Sequence, residues 1–393
     1  MTDANYLIVG GGIAGVATAW SLTRLGARNV TLLERERTLG TQSSGLNAAI
    51  LRTLSSDPLL SDFSHRGAEF LHSPPAEFSS VPLVHSCGLV LTADSSESQA
   101  LARANRSSPE LGGVEIDEKR LREWYPDLAF DFDVAIYFPR EGRIDIAALM
   151  AGFESGARKA GARIETETKI ESLIVEGQRV RGVRLESGEE RRADMTILAA
   201  GAWASLLGSA AGSPVELEPR RRHLMVTTPI EDAALGLPAL WHHGEAPFYS
   251  RPESGGMLFC ACDEQVVHPD HCSIDPDIPE LLAQRASQAL PSLAGAGIGS
   301  LWAGMRTFTR EDGFAIGRDP KLEGLYWVAG LGGHGMVCGG PAGDLAARDL
   351  LGASPALPFL DKFSPSRTSS SSPTLMVGAL APVECSPEDR IQL

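Results

Sequence analysis

The chain has 393 residues, with 35 Lys and Arg against 50 Asp and Glu for a formal charge of −15. That length holds two domains, or one large α/β body with an inserted module, and the charge argues against nucleic acid and anionic membrane as general partners. No apolar run reaches membrane-spanning length, so no transmembrane segment is expected. Met1–Asn5 is too short for a secretory leader, and the six cysteines (87, 260, 262, 272, 338, 385) show no disulfide spacing, so the expected location is reduced and cytoplasmic.

The first element is the most informative. Tyr6-Leu7-Ile8-Val9 has the composition of a buried parallel strand and ends in Gly10-Gly11-Gly12-Ile13-Ala14-Gly15. Val16 to Leu25 reads as a helix stopped by Gly26, and a second strand, Val30 to Leu33, ends in Glu34. Strand, G-x-G-x-x-G, helix, strand and acid in this order form a dinucleotide-binding unit. Gly10 permits the tight turn, Gly12 the approach of a pyrophosphate, and Gly15 close packing of helix on strand. The helix N-terminus offers N–H groups to phosphate, and Glu34 is placed to accept from ribose hydroxyls.

After Glu34 come Arg35-Glu36-Arg37-Thr38-Leu39-Gly40 and a Ser/Gly/Asn-rich loop containing Ser43, Ser44, Asn47 and Ala48. On these residues the chain resembles the D-amino-acid oxidase family of FAD-dependent amine oxidoreductases. The resemblance implies a Rossmann-type FAD-binding domain with a discontinuous mixed-sheet substrate domain, α/β overall and α+β in the substrate part. It implies FAD-binding segments at 1–80, 139–219 and 301–361, and substrate segments at 81–138 and 220–300. Residues 362–393, with a Ser/Pro-rich run, are expected to form a disordered tail.

Between these landmarks the pattern predicts helices over 59–70, 95–106, 117–124 and 146–160, with strands around 84–91, 135–138 and 162–166. Alternating runs at 170–174, 180–186 and 189–193 predict an antiparallel meander over the parallel sheet. The resemblance implies that backbone near Ile170 meets the adenine. Met195 to Ala199 reads as a buried strand running into Ala200-Gly201-Ala202-Trp203, which is similar to the family's Ala-x-Gly turn beside the cofactor. Strand pieces at 224–227, 248–250 and 257–261 and a helix over 279–290 follow. Leu301 to Thr309 re-enters the site, Leu325 to Gly330 is the last buried strand, and a helix runs from Gly339 to Leu351. The resemblance puts Gly332, Gly333, His334, Gly335 and Met336 under the flavin.

An amino-acid oxidoreductase must hold a carboxylate, for which a guanidinium beside a phenol is well suited. Arg306 and Tyr249 match the family's clamp through Trp-Ala-Gly-Met-Arg and Pro-Phe-Tyr. Arg52 is the rival anchor, standing where sarcosine-oxidase relatives carry a carboxylate-binding arginine. His334 is a candidate for tuning the flavin's charge. Several positions depart from relatives. Met336-Val337-Cys338 replaces a lysine after Gly-His-Gly, Phe259 aligns with an oxygen-activating lysine, and Gly304 aligns with a flavin-linking cysteine. These imply non-covalent FAD and lean towards a dehydrogenase.

Resemblance is closest to bacterial D-arginine and broad D-amino-acid dehydrogenases, over roughly residues 4–355. Gly88 stands where an arginine-directed relative has an acid, and Ile50 where it has a histidine, so an apolar or small side chain is expected. The expected reaction is hydride transfer from the α-carbon of an amino acid to flavin, giving an imine and then a 2-oxo acid. The electron acceptor stays open between quinone, flavoprotein and oxygen. The alternatives are a sarcosine- or glycine-oxidase-like amine oxidase, or a flavoprotein subunit with a vestigial site in a larger complex. Arg220-Arg221-Arg222 is a candidate basic pocket. The cluster Cys260, Cys262, His268, His271 and Cys272 matches no standard zinc module and is read as packing, with no metal.

Overall fold

The computed structural model describes residues 4–230, 236–311, 313–353 and 357–369. Its first sheet has six strands in the order Ala315–Arg318, Leu325–Ala329, Met195–Leu198, Asn5–Val9, Asn29–Leu33, Arg163–Glu165. All pairs are parallel except the antiparallel edge strand Ala315–Arg318. The unbroken apolar run of the first strand follows from burial on both faces. Tyr6 and Ile8 enter a core shared with the helices Ile13–Arg24, Ile146–Lys159 and Gly335–Leu351. Leu7 and Val9 enter another, beneath the meander Ile170–Glu176, Arg179–Leu185, Glu190–Arg192.

The second sheet is mixed. Along the order Leu217–Thr227, Gly256–Cys260, Phe248–Glu253, Ala239–His243, Leu89–Ala93, Val134–Phe138, only Ala239–His243 and Leu89–Ala93 run parallel. Ile298–Thr309 pairs along the length of Leu217–Thr227, so it crosses the expected boundary at 301 as one continuous strand. Alternation assigns the faces. Phe248 and Phe259 stack at 5.3 Å in the core under helix Ile278–Ala289, whereas Tyr249 and Cys260 pack on the opposite side. Ala239–His243 was not among the expected strands. Its sequence, Ala-Leu-Trp-His-His, lacks polar–apolar alternation because both faces are covered.

The last long helix begins at Gly335, four residues before its expected start, and contains Pro341. Its glycines serve packing: a Cβ at Gly339 would lie 2.3 Å from Ile13 Cγ1, and one at Gly343 2.5 Å from the carbonyl carbon of Ala17. The expectation of a disordered tail from 362 is corrected over its first part. Leu357–Phe363 is helical, and Phe359 and Phe363 lie 4.9 and 5.0 Å from Phe63, ring to ring. Their i, i+4 spacing forms one apolar stripe, and Lys362 pairs with Asp57 at 2.5 Å. Residues 370–393 lie outside the described residues. Among the described residues, no helix is long and apolar enough to cross a membrane.

Substituting Gly343→Val should force the first and last helices apart, costing about 3 kcal/mol of stability. Thermal unfolding should show the loss as a lowered midpoint, and an unchanged midpoint would contradict this packing.

Candidate active site

One cavity of about 450 Å³ runs between the two sheets. Gly10, with φ 107°, begins the turn, where a Cβ would strike Ala199 O at 2.6 Å. Gly15 touches Gly10 instead of the cavity, since a Cβ there would stand 1.9 Å from Gly10 O. Gly12, Ile13 and Ala14 line the opening. Gly12 is the N-cap of helix Ile13–Arg24 and supplies no side-chain acceptor. Asp57, Asp117 and Asp145 do cap three other helices. Ser44 Oγ accepts from Ile13 N–H at 2.9 Å. Asn47 braces the loop, donating to Ser44 O at 2.8 Å and accepting from Ala49 N–H at 2.8 Å.

Glu34 is buried and accepts from Gly11 N–H at 2.6 Å and Glu36 N–H at 2.9 Å. Arg35 lies over the Trp203 ring at 3.8 Å, and Trp203 Nε1 donates to Asp270 at 2.7 Å. Ser43, Ala48, Ile170, Ala200 and Gly201 share this wall. At the far side Gly332, Gly333, Gly335 and Met336 line the cavity, and a Cβ at Gly333 would meet nothing within 4 Å. Two helix N-termini at the cavity, of which only the first has an N–H held by a side chain, glycines that leave space and a buried acid fit an elongated dinucleotide.

The remaining wall is cationic and aromatic. Arg52, Arg222, Trp241, Tyr249, Met305 and Arg306 all line the cavity. Arg306 donates from Nη1 and Nη2 to Leu46 O at 3.2 and 3.3 Å. Arg52 is half-buried and borders the cavity. It lies 4.3 Å over Trp241 and donates to His334 Nε2 at 2.9 Å. Burial draws its guanidinium below the ordinary range, opposed by the charge of Glu141. His334 does not line the cavity as expected; it stands behind Arg52. Burial, then Arg52, lowers it to about 3, so it is neutral, with Nε2 the acceptor and the proton on Nδ1. Burial raises the Tyr249 phenol, keeping it a donor. Among the described residues, neither Arg52 nor Arg306 has a carboxylate within 4 Å.

The Arg220–Arg222 run is not a basic pocket. Arg220 pairs with Glu218 at 2.6 Å, Arg221 with Asp275 at 2.6 Å, and Arg222 with Glu264. In the cysteine and histidine cluster, Cys262 N–H donates to Cys260 Sγ at 3.4 Å, while His268 and His271 face each other at 5.3 Å. Among the described residues no group of three or more His, Cys, Asp or Glu side chains could hold a metal. Phe259 packs in the core under helix Ile278–Ala289 and does not line the cavity. Trp241, Asp270 and Glu141 were not read as site residues in the sequence, Arg222 was read only as part of a basic run, and the Trp241–Tyr249 cross-strand pair depends on the unexpected strand.

These features define a flavin-type dinucleotide site facing a second, cationic compartment. The sequence profile described as DAO, FAD dependent oxidoreductase, matches residues 5–348. The chain belongs to this DAO family of FAD-dependent oxidoreductases. It is 27% identical over 359 residues to glycine oxidase of Pseudomonas aeruginosa, covering 88% of this chain and 94% of that protein. It is 23% identical over 351 residues to 4-methylaminobutanoate oxidase (formaldehyde-forming) of Paenarthrobacter nicotinovorans, covering 86% of this chain but only 42% of the relative, less than half its length. L-Proline dehydrogenase from P. horikoshii shares the fold with a TM-score of 0.81 at 22% identity, over 93% of this chain and 97% of the other.

Glu34→Ala removes two charge-assisted backbone bonds, each of about 1.5–3 kcal/mol. FAD affinity, measured by flavin fluorescence on titration of apoprotein, should fall by at least about tenfold.

Proposed function

We propose that the protein oxidises the CH–NH bond of an amino acid in the manner of a D-amino-acid dehydrogenase, giving an imine that water hydrolyses to a 2-oxo acid. One observation carries the reading: two guanidiniums without carboxylate partners, Arg306 buried and Arg52 half-buried, border one cavity in a chain of charge −15. An enclosed, unpaired charge is costly, and an anionic substrate offsets that cost. Arg306, steadied by Leu46 O, and Tyr249, kept protonated by burial, are the proposed carboxylate clamp. When bound, FAD supplies the acceptor for the α-hydride. Arg52 and its neutral partner His334 keep the wall positive beside the substrate.

Ile50, Ala48 and Met305 give the compartment an apolar lining, which supports a small or apolar side chain. A Cβ at Gly88 would strike the Tyr137 ring at 2.4 Å, so an acidic partner for a cationic substrate has no room there. Non-covalent FAD is supported at Gly304, where a Cβ would lie 2.4 Å from Leu46 O. A second reading, oxidation of glycine or a secondary amine such as sarcosine, is favoured by Arg52, held between Trp241 and His334 and able to anchor the carboxylate itself.

Anaerobic mixing of the holoenzyme with D- and L-amino acids and N-methyl glycines tests the proposal. Bleaching of the flavin by an amino acid is expected, and oxygen uptake then separates oxidase from dehydrogenase. If no amine bleaches it, the chain is a flavoprotein subunit with a vestigial site, and the proposal fails. With a reducing substrate in hand, Arg306→Ala should raise KM about 100-fold or more, through loss of a charged bond worth about 3 kcal/mol. A larger rise for Arg52→Ala would favour the second reading. Acid precipitation should release the FAD to the supernatant; colour in the pellet would contradict non-covalent binding.

A further inference from the structure

We propose that Glu141 is a positioning residue that sets the charge of the Arg52 wall, and with it the pH range over which the cavity holds a carboxylate. This rests on the reading of that wall as a carboxylate site. Glu141 lies in the turn between Val134–Phe138 and Gly142–Ile144, 3% exposed and outside the cavity lining. One oxygen accepts from Thr53 N–H at 2.9 Å and from the Thr53 hydroxyl. The other, Oε2, is buried with no hydrogen-bond partner. A buried carboxylate oxygen left unpaired is rare and calls for a reason. Thr53 is bonded to Arg52 in the chain, so the clamp that fixes Glu141 also fixes the segment carrying the guanidinium. No ion pair within 4 Å joins Glu141 to Arg52, and the carboxylate therefore acts on the wall through its charge.

Burial pushes Glu141 up to about 7, with the Thr53 bonds and Arg52 acting the other way. The other groups facing Arg52 keep one charge state near neutrality. His334 and His243 are lowered to about 3 by burial, then by Arg52. Cys338 is pushed up to about 12 by burial. Cys262 is raised by its bond with Cys260, and Arg222 is held as a cation. On the elements around Glu141, Arg140 pairs outward with Glu69 at 3.0 Å, Arg143 and His85 are exposed, and Cys87 packs beside Gly142. Among the described residues, Arg52 is the charge that acts on Glu141 itself.

The sign follows from linkage. Below about 7, Glu141 is neutral and Arg52 presents its full charge to an anion. As pH rises through that value, the new carboxylate offsets the guanidinium and repels the ligand. Reciprocally, a bound carboxylate favours the protonated acid, so binding near neutrality takes up protons.

The test uses FAD holoenzyme titrated with acetate, ionised throughout the range and followed by flavin absorbance. The wild-type Kd should rise about tenfold between about pH 6 and about pH 8. Glu141→Gln keeps the Thr53 bonds through its carbonyl oxygen but cannot ionise. Its Kd should stay flat at the tight, low-pH value; a Glu141→Gln profile as steep as the wild type overturns the inference. Calorimetry of the wild type in buffers of differing ionisation heat needs no variant. Proton uptake near neutrality is expected, and its absence overturns the inference. Failure of the wild type to bind acetate at any pH overturns the carboxylate-site reading as well, which separates the two failures.

Discussion

The contact between the first and last helices governs the rest of the molecule. Gly339 and Gly343 let helix Gly335–Leu351 lie against Ile13 and Ala17 with no side chain between the backbones. Both helices then start at the cavity wall, and neither N-cap residue, Gly12 or His334, caps with its own side chain, although Ser44 Oγ takes the Ile13 N–H. First-turn N–H groups left without an acceptor are a liability against solvent and an asset beside a phosphate. The parallel sheet places their parent strands, Asn5–Val9 and Leu325–Ala329, next to Met195–Leu198 on its two sides. The cofactor cradle is thus built where the beginning of the chain meets its return. The aromatic anchor of Phe359 and Phe363 on Phe63 extends that same side of the molecule.

On the other wall, electrostatics sorts the arginines into two kinds. Arg220, Arg221, Arg222 and Arg251 each have a carboxylate partner, and their charge is spent on joining strands and loops. Arg52 and Arg306 instead lean on a ring, a neutral imidazole or carbonyl oxygens. Such partners orient a guanidinium without cancelling its charge. In a chain with fifteen more acidic than basic side chains, keeping two cations free of carboxylates takes enclosure. The cavity provides it.

Much of the cradle was legible in the sequence because its requirements are local. A glycine turn after an apolar strand, an acid ending the next strand, and Ser44 and Asn47 in the following loop all act within a few tens of residues. The substrate wall was less legible because it is assembled across strands. Tyr249 could be named from its neighbours, but Trp241 could not, since Ala239–His243 is covered on both faces and shows no alternation. Glu141 reads as an ordinary acid in a turn; only its burial and its bond to Thr53 make it distinctive. The early start of the last helix was hidden by its glycines, which propensity counts against a helix and which packing here requires.

Strand alternation also decides which sequence comparisons carry chemical meaning. Phe259 and Cys260 are adjacent in sequence, yet Phe259 enters the core under helix Ile278–Ala289 and Cys260 lies on the Tyr249 side. A displacement of one position in an alignment therefore exchanges a core residue for one beside the site. Phe259 itself packs in the core under helix Ile278–Ala289 and does not line the cavity. The cations on the Tyr249 face are Arg306 and, less strongly, Arg222, which also lines the cavity and acts electrostatically on Cys260. Pairing with Glu264 holds Arg222 there, so the wall keeps cations next to the phenol through residues on strands other than the one the alignment indicates.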